Sequence, residues 1–279
     1  MATIRKTIQI ALAAMALVAC VCAQSAQVQD ASTPTRSFDP TAELQILRLV
    51  NEARADAGAQ ALVVDDDLTR AARAHTVAMA EHGELSHQFS NEPNLSQRLA
   101  AVNVHFSGAA ENVALDVTPE SAEDSLMHSP PHRKNLMDPS YNRIGVGVIR
   151  EGDRIYVVQD FARRLDQPAP AQAEDVIAAH VSQLRQQRKL PQLQRRSDRN
   201  LSQTACSMAQ QNRLDAHAAA AANTPQYVLA YRNAQADALP ANAGRLINDS
   251  HVKSFSVGAC YARTSAHPGG AYWVMMVFY

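Results

Sequence analysis

Apolar positions first recur at helical spacing after Asp39-Pro40, where Leu44, Leu47 and Val50 share one face of a predicted helix that Gly58 stops. Asp39 is a cap residue, and Pro40 suits the first helical position. Leu62-Val63-Val64 reads as a short apolar connector. Asp66 or Asp67 caps a second helix whose apolar face holds Leu68, Ala72, His75 and Met79, ending at Gly83. Thr118-Pro119 and Ser129-Pro130 begin two more helices by the same cap-then-proline pattern, and Asp138-Pro139 closes the shorter one. The period then changes. Ile144, Val146 and Val148 alternate, Glu151-Gly152-Asp153 turns, and residues 155–161 return, which predicts a β-hairpin. Helices followed by an antiparallel hairpin predict an α+β domain over residues 39–163.

A proline-containing linker is expected at 164–175, and the pattern after it repeats the first half. Val181-Ser182-Gln183-Leu184-Arg185 stands in a helix as Val50-Asn51-Glu52-Ala53-Arg54 does, and a second helix is expected near 201–214. The hairpin pattern returns as Phe255-Ser256-Val257-Gly258-Ala259, a Pro268-Gly269-Gly270 turn, and residues 272–279. This order reads as a tandem duplication with a second unit at 176–279. One large domain with helices before strands is the alternative.

At the N-terminus, Arg5 and Lys6 precede an uncharged apolar run from Ile8 to Val18. The run is too short for a ~30 Å hydrocarbon core. It fits a secretory signal over residues 1–23, against the alternative of a buried core helix. Leu17-Val18-Ala19-Cys20 resembles a lipobox, which would make Cys20 a lipid-anchored first residue, whereas Val21-Cys22-Ala23 resembles a signal-peptidase site and a soluble product. The anchored, periplasmic form is preferred and a secreted form is the alternative. Residues 24–38 read as a flexible spacer. A net charge of −1 over 279 residues argues against a nucleic-acid or anionic-membrane surface, leaving membrane contact only through Cys20. Of the four cysteines, Cys206 and Cys260 lie clear of the signal; in an oxidising compartment they form a candidate disulfide, and two buried thiols are the alternative.

Three segments of the first half carry candidate chemistry: Gly83-Glu84-Leu85-Ser86-His87, Ala110-Glu111-Asn112-Val113-Ala114, and Ser129-Pro130-Pro131-His132-Arg133 running on to Arg143-Ile144-Gly145-Val146-Gly147-Val148. In this order and at these separations they resemble the CAP superfamily (cysteine-rich secretory proteins, antigen 5 and pathogenesis-related proteins, the SCP-like domain) in its bacterial branch. The resemblance covers residues from about 41 to 162. It implies an αβα sandwich with a cleft lined by His87, Glu111 and His132, followed here by a degenerate second CAP-like unit without cleft residues. The family's second glutamate falls at Ser129, which is therefore counted in the cleft. Pro131 replaces a glycine, and Leu126 stands where a tryptophan is common.

Two neutral imidazoles can ligate zinc, and a nearby carboxylate can orient or deprotonate water. His87 and His132 are thus candidate metal ligands for a weakly bound Zn, and Glu111 is a candidate catalytic base. Histidines that merely hold loops together are the alternative. His75, on an apolar helix face, reads as a core histidine. The leading expectation is a binding module of the cell envelope that takes a small apolar ligand or lipid, with an envelope protein as a further partner. A zinc-assisted, protease-like hydrolase and an interaction scaffold with a vestigial cleft are the alternatives.

Overall fold

The polar-capped helices and alternating strands assemble into two helix–sheet–helix layers. The computed structural model describes residues 36–219 and 225–279; the expected export signal, Cys20, Cys22 and most of the expected spacer lie outside the described residues. The first half contains β1 (Ser37–Phe38), α1 (Pro40–Asp56), β2 (Val63–Val64), α2 (Asp66–His82), α3 (Leu95–Ala101) and β3 (Phe106–Asp116). It continues through α4 (Pro119–His128), α5 (Pro130–Met137), β4 (Arg143–Glu151) and β5 (Arg154–Arg164). The sheet order is β1-β4-β5-β3, with β2 pairing in parallel with β4. Two bounds differ from the sequence reading. Phe38, expected in the spacer, pairs with Ile149, because the edge of β4 offers unpaired backbone groups. The connector Val63-Val64 is likewise a short strand.

Strand alternation puts Ile144, Val146, Val148, Val157 and Phe161 against α1, α4 and α5. The opposite face turns Val113, Tyr156 and Val158 toward α2. The domain is α+β with a helical layer on each side of its sheet. Gly145 is required by that packing: a Cβ there would collide with the backbone of Leu68 in α2.

The second half contains α6 (Pro170–Gln187), β6 (Gln194–Arg195), α7 (Arg199–Gln210), a 3₁₀ turn at Ala216–Ala219 and β7 (Tyr227–Asn233). It ends with α8 (Ala243–Ile247), β8 (Ser254–Thr264) and β9 (His267–Phe278). Helix α6 starts inside the expected 164–175 linker because Pro170 serves as its first-turn proline, leaving residues 165–169 as connection. The strand order is β6-β8-β9-β7, and β6 pairs in parallel with β8 as β2 does with β4. Cys206 on α7 and Cys260 on β8 are disulfide-bonded.

Two polar devices occur in both halves. Glu43 of α1 accepts from the Val148 amide, and Glu174 of α6 accepts from the Ala259 amide. Arg54 donates to the carbonyls of Gln60, Leu136 and Asp138, and Arg185 donates to those of Pro191, Ile247 and Asp249. Each arginine ties the end of its first helix to the loop before its hairpin. The halves are bonded to each other as well. His105 places Nδ1 2.8 Å from the Gly269 carbonyl and Nε2 2.9 Å from that of Ala234, and Arg263 donates to the carbonyls of Ala100 and Val104.

Removing either buried arginine strands several carbonyls away from water, so Arg54→Met and Arg185→Met are each expected to lower unfolding free energy by about 3 kcal/mol. Urea midpoints of the two variants check this. A loss under ~1 kcal/mol would mean that the carbonyls find water instead.

Candidate functional site

Edge strand β3 carries the centre of the site. Two consecutive rungs of the β3–β5 ladder are polar: Glu111 opposite Asp160, and Asn112 opposite Gln159. Successive residues point to opposite faces, so the first rung lies under α2 and α3 and the second under α4 and α5.

On the first face, Glu111 is buried, one carboxylate oxygen lying 3.0 Å from His87 Nδ1 and the other accepting from Arg98 of α3. Arg98 also donates to the Pro93 carbonyl, fixing the loop that follows α2. That loop leaves α2 through Gly83 in the left-handed region, where glycine carries no Cβ penalty. His75, fully buried on α2, braces it, with Nε2 2.8 Å from the Ser86 carbonyl and Nδ1 2.7 Å from the Glu92 carboxylate. His87 is therefore held by its backbone neighbours and by Glu111, while 58% of its side chain stays exposed.

On the second face, Asn112 donates to the His132 carbonyl and to Gln159, and Asn135 donates to Asn112. Gln159 donates to Glu123 of α4 at 2.8 Å. His132, on α5, brings its ring to 6.4 Å from that of His87, centroid to centroid. The two histidines thus come from opposite layers and meet over the sheet edge.

The surroundings split the two imidazoles. The Glu111 hydrogen bond and charge raise the His87 pKa against partial burial and Arg98, whereas burial and the nearby His87 lower that of His132. Burial lifts the Glu123 carboxyl to about 7, opposed by the hydrogen bond from Gln159. Asp160 is fully buried with neither oxygen partnered by a hydrogen bond among the described residues, and burial followed by the Glu111 charge pushes it well above the carboxylate range.

Sequence reasoning placed the second acidic position at Ser129. There the structure has the junction of α4 and α5, and the serine makes no side-chain cap bond. The buried acids near the cleft are instead Glu123, one helical face away, and Asp160. Arg98, which holds both Glu111 and the loop, was missed as a site residue, whereas His75 is the core histidine the sequence predicts, fully buried with both ring nitrogens partnered. An ionisable residue on an otherwise apolar helix face was the signal for His75.

These donors do not fit a resident zinc ion. Two imidazoles on one tetrahedral zinc have centroids roughly 5 Å apart, closer than His87 and His132, and a zinc site needs at least three protein ligands. Among the described residues no three His, Cys, Asp or Glu side chains converge on a metal position. Glu111 is already committed to Arg98 and His87.

Residues 47–161 match the family model described as the cysteine-rich secretory protein family, CAP. The first half of this chain is a CAP domain. Two of the relatives come from Bacillus subtilis. The uncharacterized protein YkwD of Bacillus subtilis is 28% identical over 129 residues, 46% of this chain and 50% of that one. The uncharacterized membrane protein YlbC of the same organism is 34% identical over 130 residues, 46% of this chain and 36% of that one. This chain therefore spans half or less of those relatives. A crystal structure of an extracellular SCP-domain protein from Bacillus anthracis is 28% identical with a TM-score of 0.42, covering 45% of this chain and 41% of that one.

The second half lacks the polar rungs of the CAP domain. Counting from its short parallel strand, as from β2, the matching ladder positions are Val228 opposite Val277 and Leu229 opposite Met276. Apolar pairs occupy both.

Two outcomes are expected from the titrations. Glu111→Gln removes the charge that raises His87, so NMR titration of the His87 ring should show its pKa fall, with that of His132 moving less. The folded-state rise means that His87 adds stability at low pH, which is lost as pH rises through its folded value. For Glu123 the fold prefers the neutral carboxyl, so its contribution is full below the unfolded value of 4.5 and gone above about 7. Glu123→Gln should flatten the change in stability between about pH 4.5 and about pH 7 by roughly 3 kcal/mol, read by urea unfolding. An unchanged slope would assign the pH dependence to another group.

Proposed function

We propose that this is an exported cell-envelope protein whose CAP domain binds a small apolar or amphipathic ligand at the cleft over β3. The observation that carries this reading is the presentation of His87: an exposed imidazole, aimed by a buried carboxylate, facing a second imidazole from the opposite layer. Nδ1 of His87 is taken by Glu111, which leaves Nε2 for a ligand.

Apolar contact area is available close by. A hollow of about 520 Å³ between α2, the 89–93 loop and α3 is walled by Ala71, Ala74, Ala78, Phe89, Ala101 and Val102. Its inner wall includes Glu92 and Arg98, the same residues that support Glu111 and the loop of His87. A volume of this size is in the range that holds small organic ligands.

Binding is favoured over hydrolysis because the two histidines lack a third ligand and Glu111 is held by two partners. Export rests on the N-terminal signal pattern and lipobox-like Cys20. Among the described residues no helix is long and apolar enough to cross a membrane. The second half we read as a degenerate CAP-like copy with a structural or partner-binding role, on its strand order, its half-buried Glu174 and buried Arg185, and its apolar rungs.

The test is a fluorescence titration of the full chain with cis-parinaric acid, with calorimetric Zn²⁺ titration alongside. Binding is expected in the wild type, weakened about tenfold or more by His87→Ala and by Ala74→Trp, which fills the hollow. Loss only in Ala74→Trp would move the ligand to the hollow and leave the histidines structural. No binding in any form sinks the reading. Zinc heat that vanishes in both His87→Ala and His132→Ala would favour the hydrolase instead.

A further inference from the structure

The two halves meet along a seam that encloses a second, chemically different hollow of about 460 Å³. One wall is the start of β3. There the pairing register with β5 shifts between Phe106 and Ala109, so Ser107 and Gly108 are left out of the ladder. A bulge of this kind frees backbone amides from strand pairing and re-aims them. The facing wall is the end of β7 and the β8–β9 turn, which contribute Arg232 and His267. No acidic side chain lines the hollow among the described residues.

Arg232 is the notable member. It has no hydrogen-bond or ion-pair partner among the described residues, and its guanidinium carbon sits 5.3 Å from the centroid of the Trp273 ring. Arg232 and Trp273 are a directly opposed pair on β7 and β9, so this stacking is fixed by the sheet. His267 approaches the same indole edge-on, at 6.4 Å. Burial and the Arg232 charge lower the His267 pKa, as an electropositive setting demands. The indole Nε1 is itself buried without a partner.

We propose that this hollow binds the anionic head of a small organic molecule, with Arg232 and His267 as side-chain donors and the bulged Ser107–Gly108 backbone opposite. An unpaired guanidinium held on an aromatic ring is pre-organised for a carboxylate or a phosphate. The volume exceeds that of a bare ion, and Phe106, Ala109 and Pro268 supply apolar wall for the body of the molecule. Because both halves contribute walls, the site exists only when they are docked. It is separate from the CAP cleft and independent of the function proposed for it.

Trp273 is the chain's single tryptophan and, buried behind the hollow, touches both Arg232 and His267, so its emission reports on the two donors. The experiment titrates the full chain with inorganic phosphate, butyl phosphate and butyrate at constant ionic strength. A saturable emission change is expected with at least one organic anion, stronger than with inorganic phosphate. Preference between butyl phosphate and butyrate identifies the head group. Arg232→Gln should weaken binding at least about tenfold, the loss of one charge-assisted interaction, with His267→Gln having a smaller effect. Amide shifts of Ser107 and Gly108 in the wild type give a readout that needs no variant, and they should move with the same saturation curve. The proposal is overturned by emission that follows ionic strength alone, by equal affinity in a folded Arg232→Gln, or by amide shifts confined to other residues.

Discussion

A carboxylate withdrawn from water must be matched by charge or hydrogen bonds, and at Glu111 the matching group is Arg98. Much of the cleft follows from that pairing. Arg98 lies on α3, a seven-residue helix that would be marginal alone and is held by the Asn94–Gln97 capping box. The same guanidinium fixes the Pro93 carbonyl, and His75 fixes the Ser86 carbonyl and Glu92, so the loop between α2 and α3 is pinned at several points. His87 projects from that pinned loop. Its exposure and its fixed orientation therefore have one origin, a loop anchored from beneath by buried charge.

The helices α1, α2, α4 and α5 and the β4–β5 hairpin were legible in the chain because caps, prolines and alternation all pointed the same way. Strand β3 was not. Ser107-Gly108-Ala109-Ala110-Glu111-Asn112 shows no alternation, since small residues fill the positions under the two helical layers and the polar ones belong to the site. His87, Glu111 and His132 were legible through their motifs, and the structure brings them together. Glu123 and Asp160 were not, because which face of α4 turns inward and which strand pairs with β3 are tertiary facts. The Gln159-Asp160 pair inside the apolar run of β5 was the available clue: polar residues in a buried strand need partners, and Gln159 finds them in Asn112 and Glu123, while Asp160 is left without one among the described residues.

The second half separates what the frame needs from what the cleft needs. Glu174 and Arg185 reproduce the contacts of Glu43 and Arg54, so the join of first helix to sheet is kept. At the two rungs, valine pairs with valine and leucine with methionine. Apolar side chains of that size fill the space without any desolvation penalty, and the strands pair as well without charge as with it. Polar rungs are thus no requirement of the architecture, and their presence in the first half is a property of its site.

His105 sits at the entrance to β3, and the carbonyl that meets its Nδ1 belongs to Gly269, 164 residues further along the chain. A ribosome delivers α1 to β5 well before it delivers that carbonyl. The first half can collapse on its own contacts, yet the start of its edge strand stays unbraced until β9 arrives. Contacts of such long range close late, because the intervening loop entropy is lost before they form. The brace at the start of the strand that bears Glu111 therefore forms late, and it comes from a part of the molecule that has no share in the cleft.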